Sequence, residues 1–365
     1  MSYITAIGIA NPENKIAQST IANFMTKAMK LSTDDERKLR ALHRMSGIET
    51  RHSVLTDYNR VEHFEFYPNN GEAFPGTKQR LALFQKHAVH LSVSASEKCL
   101  SKVIDLKRSE ITHLVVVSCT GMYAPGLDID LVKTLGLKST VERTCINFMG
   151  CYAAFNAIKL ANSFCTRADA KVLVVCTELC SIHFQRESTE DNLLANSLFA
   201  DGSAALLIEP HPRKGLNLKP VSFFCEIATQ GEHDMAWTVG DLGFEMRLSS
   251  YVPDVIKSGI KKLTTSLLEK IEQSLSDISY FAIHPGGKKI LEAIESELGL
   301  SKTQNKFSYE VLKNFGNMSS PTVLFVLNEV AASLSEADHE KKILSFAFGP
   351  GLTMESMILE IQQHA

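Results

Sequence analysis

The sequence predicts an α/β protein made of two similar halves, each with a βαβ-like order. Three observations carry this reading. Ile111-Thr-His-Leu-Val-Val-Val-Ser118 and Lys171-Val-Leu-Val-Val-Cys176 are short β-branched runs of the kind found in parallel strands buried on both faces. Helical segments alternate with them. The pattern then recurs, because Ile278-Ser-Tyr-Phe-Ala-Ile-His284 and Lys342-Ile-Leu-Ser-Phe-Ala-Phe-Gly349 start 167 and 171 residues after Ile111 and Lys171.

The chain has 365 residues, enough for two domains or one duplicated unit with a large core. Its 44% hydrophobic and 22% charged content is ordinary for a globular protein. A net charge of -3 gives no compositional support to nucleic-acid or anionic-membrane binding. The N-terminus lacks a secretory signal pattern and no run of about 18 apolar residues follows, so a cytoplasmic protein is expected. Eight Cys without a C-x-x-C pair suggest free thiols and no structural zinc.

Taken in order, residues 3–10 read as a first strand and Ile16 to about Met45 as a polar helical region. Arg37-Lys-Leu-Arg-Ala-Leu-His-Arg44 places several cations within two turns of it: a solvated face or a polyanion-binding rim. Residues 56–78 are turn-rich, with Pro68-Asn-Asn-Gly71 and Pro75-Gly76 as loop signals. A helix about Leu81–Leu106 leads into the 111–118 strand, the loop Cys119–Gly126 and a helix near Leu127–Leu135. The turn Phe199-Ala-Asp-Gly enters a strand to Ile208. The polar, Pro-bearing stretch Glu209–Pro220 is the best boundary, which divides the chain into 1–212 and 213–365. Helices are expected over Val255–Leu275 and Thr322–Leu334.

Three residues stand out chemically. Gly150 before Cys151 permits a tight turn, and the Ala-rich run that follows reads as a buried helix with Cys151 in its first turn. That position favours a thiolate, although an isolated Cys is more often simply packed as a small hydrophobe. His284 ends an apolar strand and is stopped by Pro285-Gly-Gly; strand ends of parallel sheets collect functional residues, but a structural His is equally ordinary there. Asn317 precedes Ser320-Pro321, an N-cap and first-turn signature, and could serve only local turn bonding.

Together, Met149-Gly-Cys151-Tyr-Ala, Ile283-His284-Pro-Gly-Gly, Phe315-Gly-Asn317-Met-Ser-Ser and Phe348-Gly-Pro-Gly-Leu resemble the signatures of type III polyketide synthases, the chalcone-synthase-like enzymes, across nearly the whole chain. The resemblance implies a thiolase-like fold with duplicated halves in a five-layered αβαβα arrangement, a homodimer, and malonyl-CoA and a starter acyl-CoA as substrates. It implies no metal or redox cofactor. Cys151 is then the nucleophile that carries the acyl chain, with His284 and the Asn317 amide stabilising the enolate formed when malonyl-CoA loses carbon dioxide. Phe199 matches a gating Phe; Phe244 or Met246 takes the second gating position. Cys119, Cys180, His183, Trp237 and Ser319 fall at cavity positions, and Lys38, Arg40 and Arg44 where the family holds coenzyme A phosphates.

Departures bear on substrate. Cys119, Cys180 and His183 stand where plant enzymes carry hydroxyl residues, Ala124 replaces a Met that crosses the dimer, and Trp237 replaces a Gly. With the shorter chain they argue for a bacterial-type enzyme and against chalcone as the product without identifying the starter; malonyl units alone and a fatty-acyl starter are the main options. β-Ketoacyl-ACP synthases III share Cys, His and Asn but would show His-Gln-Ala-Asn instead of His284-Pro-Gly-Gly. A non-catalytic thiolase-fold scaffold would need none of the three.

Overall fold

The computed structural model describes residues 1–69, 73–249 and 251–365. Asn70 and Gly71 of the expected Pro68–Gly71 turn lie outside them, as does Ser250 beyond the Phe244–Met246 stretch. The first half runs β1 (Tyr3–Ala10), β2 (Asn14–Ala17), α1 (Gln18–Met29), α2 (Thr33–Met45), β3 (Thr50–Ser53), α3 (Thr77–Leu100), β4 (His113–Ser118), α4 (Leu127–Thr134), β5 (Glu142–Asn147), α5 (Ala153–Phe164), β6 (Val172–Leu179), α6 (Glu190–Leu198) and β7 (Asp201–Glu209). The second runs β8 (Gly215–Ile227), β9 (Met235–Gly240), β10 (Gly243–Leu248), α7 (Val252–Glu269), β11 (Ile278–Ile283), α8 (Lys288–Leu298), α9 (Lys306–Phe315), α10 (Thr322–Ser333), β12 (Lys342–Gly349) and β13 (Thr353–His364).

The duplication is visible in strand pairing. β4 lies parallel to β6, which pairs antiparallel with β7, which pairs antiparallel with β1. β11, β12, β13 and β8 repeat that succession. The two sets join through the single pair Ile4↔Leu218, giving the order β11-β12-β13-β8-β1-β7-β6-β4-β5.

Period-two alternation builds the layers. Leu114, Val116, Leu173 and Val175 face one core with Phe24 of α1 and Phe84 and Leu91 of α3. Val115, Val117, Val172 and Val174 face the opposite core, where α5 and α10 lie between the two sets of strands. Phe281, Ile283, Leu344 and Phe346 cover a third core with α7 and α8. The order is helix, sheet, helix, sheet, helix, the five-layered arrangement implied by the resemblance. Ala residues at 153, 154, 157 and 161 let α5 lie buried between sheets. Among the described residues no helix is long and apolar enough to cross a membrane.

Several boundaries differ from expectation. The Ile16–Met45 region is a short strand and two helices: Lys30 takes a left-handed conformation that ends α1, and Ser32 caps α2 by accepting from Asp35 N. The Leu81–Leu106 helix runs Thr77–Leu100 and the Val255–Leu275 helix runs Val252–Glu269, with Pro253 in its first turn. Ser320 does not cap α10: the helix starts at Thr322 with Pro321 at the cap position, and the Ser320 hydroxyl donates to buried Glu178 at 2.5 Å.

Phe155, fully buried on α5, tests the middle layer. Phe155→Ala is expected to cost about 3–5 kcal/mol of unfolding free energy in a urea titration followed by circular dichroism. A loss below about 1 kcal/mol would mean that the surrounding helices collapse onto the vacancy.

Candidate active site

Cys151 reaches the site through a strained turn. β5 ends at Asn147, Phe148 and Gly150 adopt φ of 61° and 73°, and a 3-10 turn at Gly150–Tyr152 runs into α5. A Cβ at Gly150 would stand 2.4 Å from Pro350 Cδ. The Gly349-Pro350-Gly351 turn is therefore packed directly on the Cys151 turn, and a Cβ at Gly349 would in turn come 2.6 Å from Tyr152 Cδ1. Cys151 Sγ lies 3.5 Å from Ser319 Oγ, and Cys119 Sγ lies 3.3 Å from the same oxygen.

His284 follows β11, and its N–H extends the parallel ladder by donating to Phe346 O at 2.8 Å. Its side chain is 1% exposed, and neither ring nitrogen has a hydrogen-bond partner among the described residues. Native structures seldom leave two buried nitrogens unmet unless a ligand or water meets them. Asn317 is fixed on both sides. Its backbone forms an isolated bridge with Phe199, between α6 and β7, while Oδ1 accepts from Ser319 N (2.8 Å) and Thr322 Oγ1 (3.4 Å). The amide is thereby oriented with Nδ2 toward Gly286 O, at 3.2 Å, two residues beyond His284.

Burial dominates the charge states. It pushes the Cys151 thiol up to about 12, assisted by the negative field of Glu178 and opposed by the Ser319 and Asn317 side chains. It pulls the His284 imidazole down to about 3. Burial thus works against the thiolate expected from the helix start and favours a neutral thiol and a neutral imidazole on the same cavity, desolvation outweighing the helix dipole. Glu178 is buried too, raised by desolvation and held by Thr120 Oγ1 (2.6 Å), Ser320 Oγ and Cys119 N.

One inner cavity of about 30 Å³ collects Cys151, His284 and Asn317 with Cys119, Cys180, Phe199, Met246, Trp237 and Ser319. That is room for a water or two. His183 and Phe244 stand instead in a side chamber that shares Cys180, Phe199, Trp237 and Met246 with the inner one. Of the two candidates for the second gating position, only Met246 lines the inner cavity. Phe244 is stacked on His183 at 4.3 Å and donates its N–H to His183 Nδ1 at 2.9 Å. His183 Nε2–H donates to Thr120 O, and Trp237 Nε1 to Cys119 O, both at 2.6 Å.

An outer cavity of about 410 Å³ borders the inner one through Leu248, Gly286 and Ile290. Lys38 lines it. Arg40 does not, being engaged by Glu36 and Asn23 at 2.8 Å, nor does exposed Arg44. Lys288 and Lys289 do; sequence reading passed over them, although their position directly after His284-Pro-Gly-Gly was a usable signal. Met235, Leu248 and Pro350 also line these spaces, and their apolar character gave no signal at all.

Comparison with known proteins agrees with this geometry. Residues 1–212 match the model for chalcone and stilbene synthases, N-terminal domain, and residues 222–362 that for the C-terminal domain. The chain is 33% identical to the alpha-pyrone synthesis polyketide synthase-like Pks18 of Mycobacterium tuberculosis, over 99% of this chain and 91% of that one. It is also 33% identical to probable polyketide synthase 1 of Dictyostelium discoideum, where 98% of this chain spans only 11% of a much longer protein. PKS-I of the brown alga Ectocarpus siliculosus superposes with a TM-score of 0.91 at 29% identity, covering 98% of both chains. The thiolase-like fold, both family domains and the full-length relatives lead to one assignment: the chain belongs to the chalcone and stilbene synthase family and is a type III polyketide synthase, an acyltransferase.

Proposed function

We propose that this enzyme extends a coenzyme A-linked starter with malonyl-CoA by repeated decarboxylative Claisen condensation at Cys151, and then cyclises the chain to an aromatic or pyrone. The observation that carries the reading is the pair of unmet buried nitrogens on His284, facing the same cavity as Cys151 and Asn317. Proton transfer from Cys151 to His284 turns two neutral groups into an ion pair whose mutual attraction offsets burial. The thiolate attacks the starter carbonyl and free coenzyme A leaves.

Malonyl-CoA then loses carbon dioxide. The negative charge moves onto its thioester oxygen, where His284 and Asn317 Nδ2 donate hydrogen bonds. The enolate carbon attacks the Cys151 thioester, a C–C bond forms as the C–S bond breaks, and the cysteine is free for reloading.

Coenzyme A is proposed to lie in the outer cavity, with Lys38, Lys288 and Lys289 toward its phosphates. Arg40 and Arg44, expected from the resemblance to share that task, are left out of this assignment. An inner space of about 30 Å³ holds no acyl chain as it stands, so Phe199 and Met246 must swing aside to admit one. Trp237, anchored through its indole N–H, separates inner cavity from side chamber and limits chain length. A homodimer is part of the same proposal; β5 lies at the sheet edge, but its Glu142 and Arg143 are paired within the chain with Arg167 and Asp128. A cytoplasmic location is part of the same proposal.

Purified protein given malonyl-CoA with a panel of acyl-CoAs should yield polyketide products by mass spectrometry. Asn317→Ala should lower turnover about 10²–10³-fold. No condensation with any thioester by folded protein would sink the proposal. A single extension seen only with an acyl carrier protein would replace it by a ketoacyl-synthase activity.

Trp237→Ala should join the two chambers and shift products toward longer chains; an unchanged product distribution would remove Trp237 from chain-length control. For the nucleophile, iodoacetamide should modify Cys151, 7% exposed, faster than Cys176 at 0%. Internal proton transfer leaves the number of bound protons unchanged. The Cys151 rate should therefore be nearly flat from about pH 6 to 9, and should become slow, rising about tenfold per pH unit, in His284→Ala. A steep rise in the wild type would exclude the internal transfer.

A further inference from the structure

Arg51 of β3 is 2% exposed, and no carboxylate accepts from its guanidinium among the described residues. Nη1 donates to the main-chain oxygens of Asn196 (2.8 Å) and Phe199 (2.7 Å), and Nε to Gln18 Oε1 (2.8 Å). Nη2 donates to His43 Nε2 (3.4 Å), which is free to accept because His43 Nδ1 bonds Leu39 O. Asp201 lies near but is taken up by Ser181 N, Ser181 Oγ and Val54 N. Burial draws Arg51 down to about 10, so it stays cationic at neutral pH.

A buried cation without an ion-pair partner is costly, and something must compensate it. Here the negative end of α6 does. The helix finishes at Leu198, and Arg51 meets the carbonyls of Asn196 and Phe199 while Gln18 Nε2 donates to Ser197 O at 2.8 Å. This segment is also the one bridged to the site, since Asn317 N donates to Leu198 O (3.0 Å) and Ala200 N to Asn317 O (2.8 Å). Gly316, at φ 70°, leaves the room Arg51 occupies; a Cβ there would come within 2.9 Å of both Arg51 Cγ and Leu198 O. On its far side Arg51 bonds His43 of α2, the helix whose Lys38, Leu42 and Met45 line the outer cavity.

We propose that Arg51 is a positioning residue that ties α2, at the outer cavity, to the Phe199–Asn317 bridge in the inner one, holding the gate's backbone and the Asn317 amide in register with Cys151. It rests on the inner cavity being the condensation site. The planar guanidinium matters, because Nη1 gives charge-assisted bonds to two carbonyls three residues apart while Nε and Nη2 hold Gln18 and His43, leaving the Phe199 side chain free to move on a fixed backbone.

Arg51→Met and Arg51→Lys test this alongside Gln18→Leu, which keeps the cation but removes the Nε acceptor and the donor to Ser197 O. Three activities are read: condensation, starter-free decarboxylation of malonyl-CoA, and the product distribution. Folded Arg51→Met should lose about 10- to 100-fold in kcat for condensation and decarboxylation together, with KM for malonyl-CoA little changed. Arg51→Lys should recover part of that loss. Variants with a lowered unfolding midpoint but wild-type kcat, KM and products would overturn the proposal and leave Arg51 as a cap for α6. Where Arg51→Met does not fold, Gln18→Leu decides: a reduced kcat at unchanged KM supports the linkage, and unaltered kinetics overturns it. Wild-type protein assayed in parallel keeps the two readings apart, since a wild type that condenses while its variants match it removes Arg51's role alone.

Discussion

Pro350 fills the space that a side chain at Gly150 would need: the turn that carries Cys151 has no side chain at 150 because the second half of the chain already takes that position. The rest of the site depends on this contact. Cys151 starts α5 from the first half, and the Gly349-Pro350-Gly351 turn ends β12 of the second. The two helices of the middle layer make the meeting possible. Asn317 precedes α10 much as Cys151 precedes α5, and His284 follows β11, the counterpart of β4. A duplicated pattern thus places three unlike side chains around one cavity, none of them close to another in sequence.

Burial then sets the chemistry of that meeting. The same desolvation raises the thiol and lowers the imidazole, so neither titrates near neutrality on its own. Charges that do form in such a space are screened little by water, and fixed donors aimed at them count for more than they would in solvent. Asn317 is suited to this because its amide is locked from the Oδ1 side by Ser319 N and Thr322 Oγ1 and from the Nδ2 side by Gly286 O, which leaves the second Nδ2 hydrogen in a fixed direction.

The fold class and the three central residues were legible in the sequence because each is announced by local chemistry. β-Branched runs mark buried strands, Gly-Cys before an Ala-rich stretch marks a turn into a buried helix, and His before Pro-Gly-Gly marks a strand end. What was not legible depends on partners distant in sequence. Ser320 reads as a cap until Glu178, 142 residues away, accepts its hydroxyl. Arg51 lies in a short strand with no hydrophobic signature and acquires meaning only through Phe199, 148 residues on. Phe244 and Met246 are two residues apart on β10, and which of them faces the inner cavity is decided by His183, onto which Phe244 is stacked. The helix-start argument for a resting thiolate meets opposition for a related reason: the dipole is a local property, and the depth of burial is not.

The cations divide by how firmly they are held. Lys38 is 3.6 Å from Asp35 and Lys288 3.7 Å from Glu292, in solvent-reachable pairs whose mutual stabilisation is small. Releasing either to meet a phosphate therefore costs little. Arg40 is bound on two sides by Glu36 and Asn23, and Arg51 is buried with all its acceptors in place. Loosely paired lysines at the rim suit a ligand that must arrive and leave on every cycle. A buried guanidinium bonded to two backbone carbonyls suits a part that must not move, and the proposed gate would use both: a mobile side chain at Phe199 and a fixed backbone from which it swings.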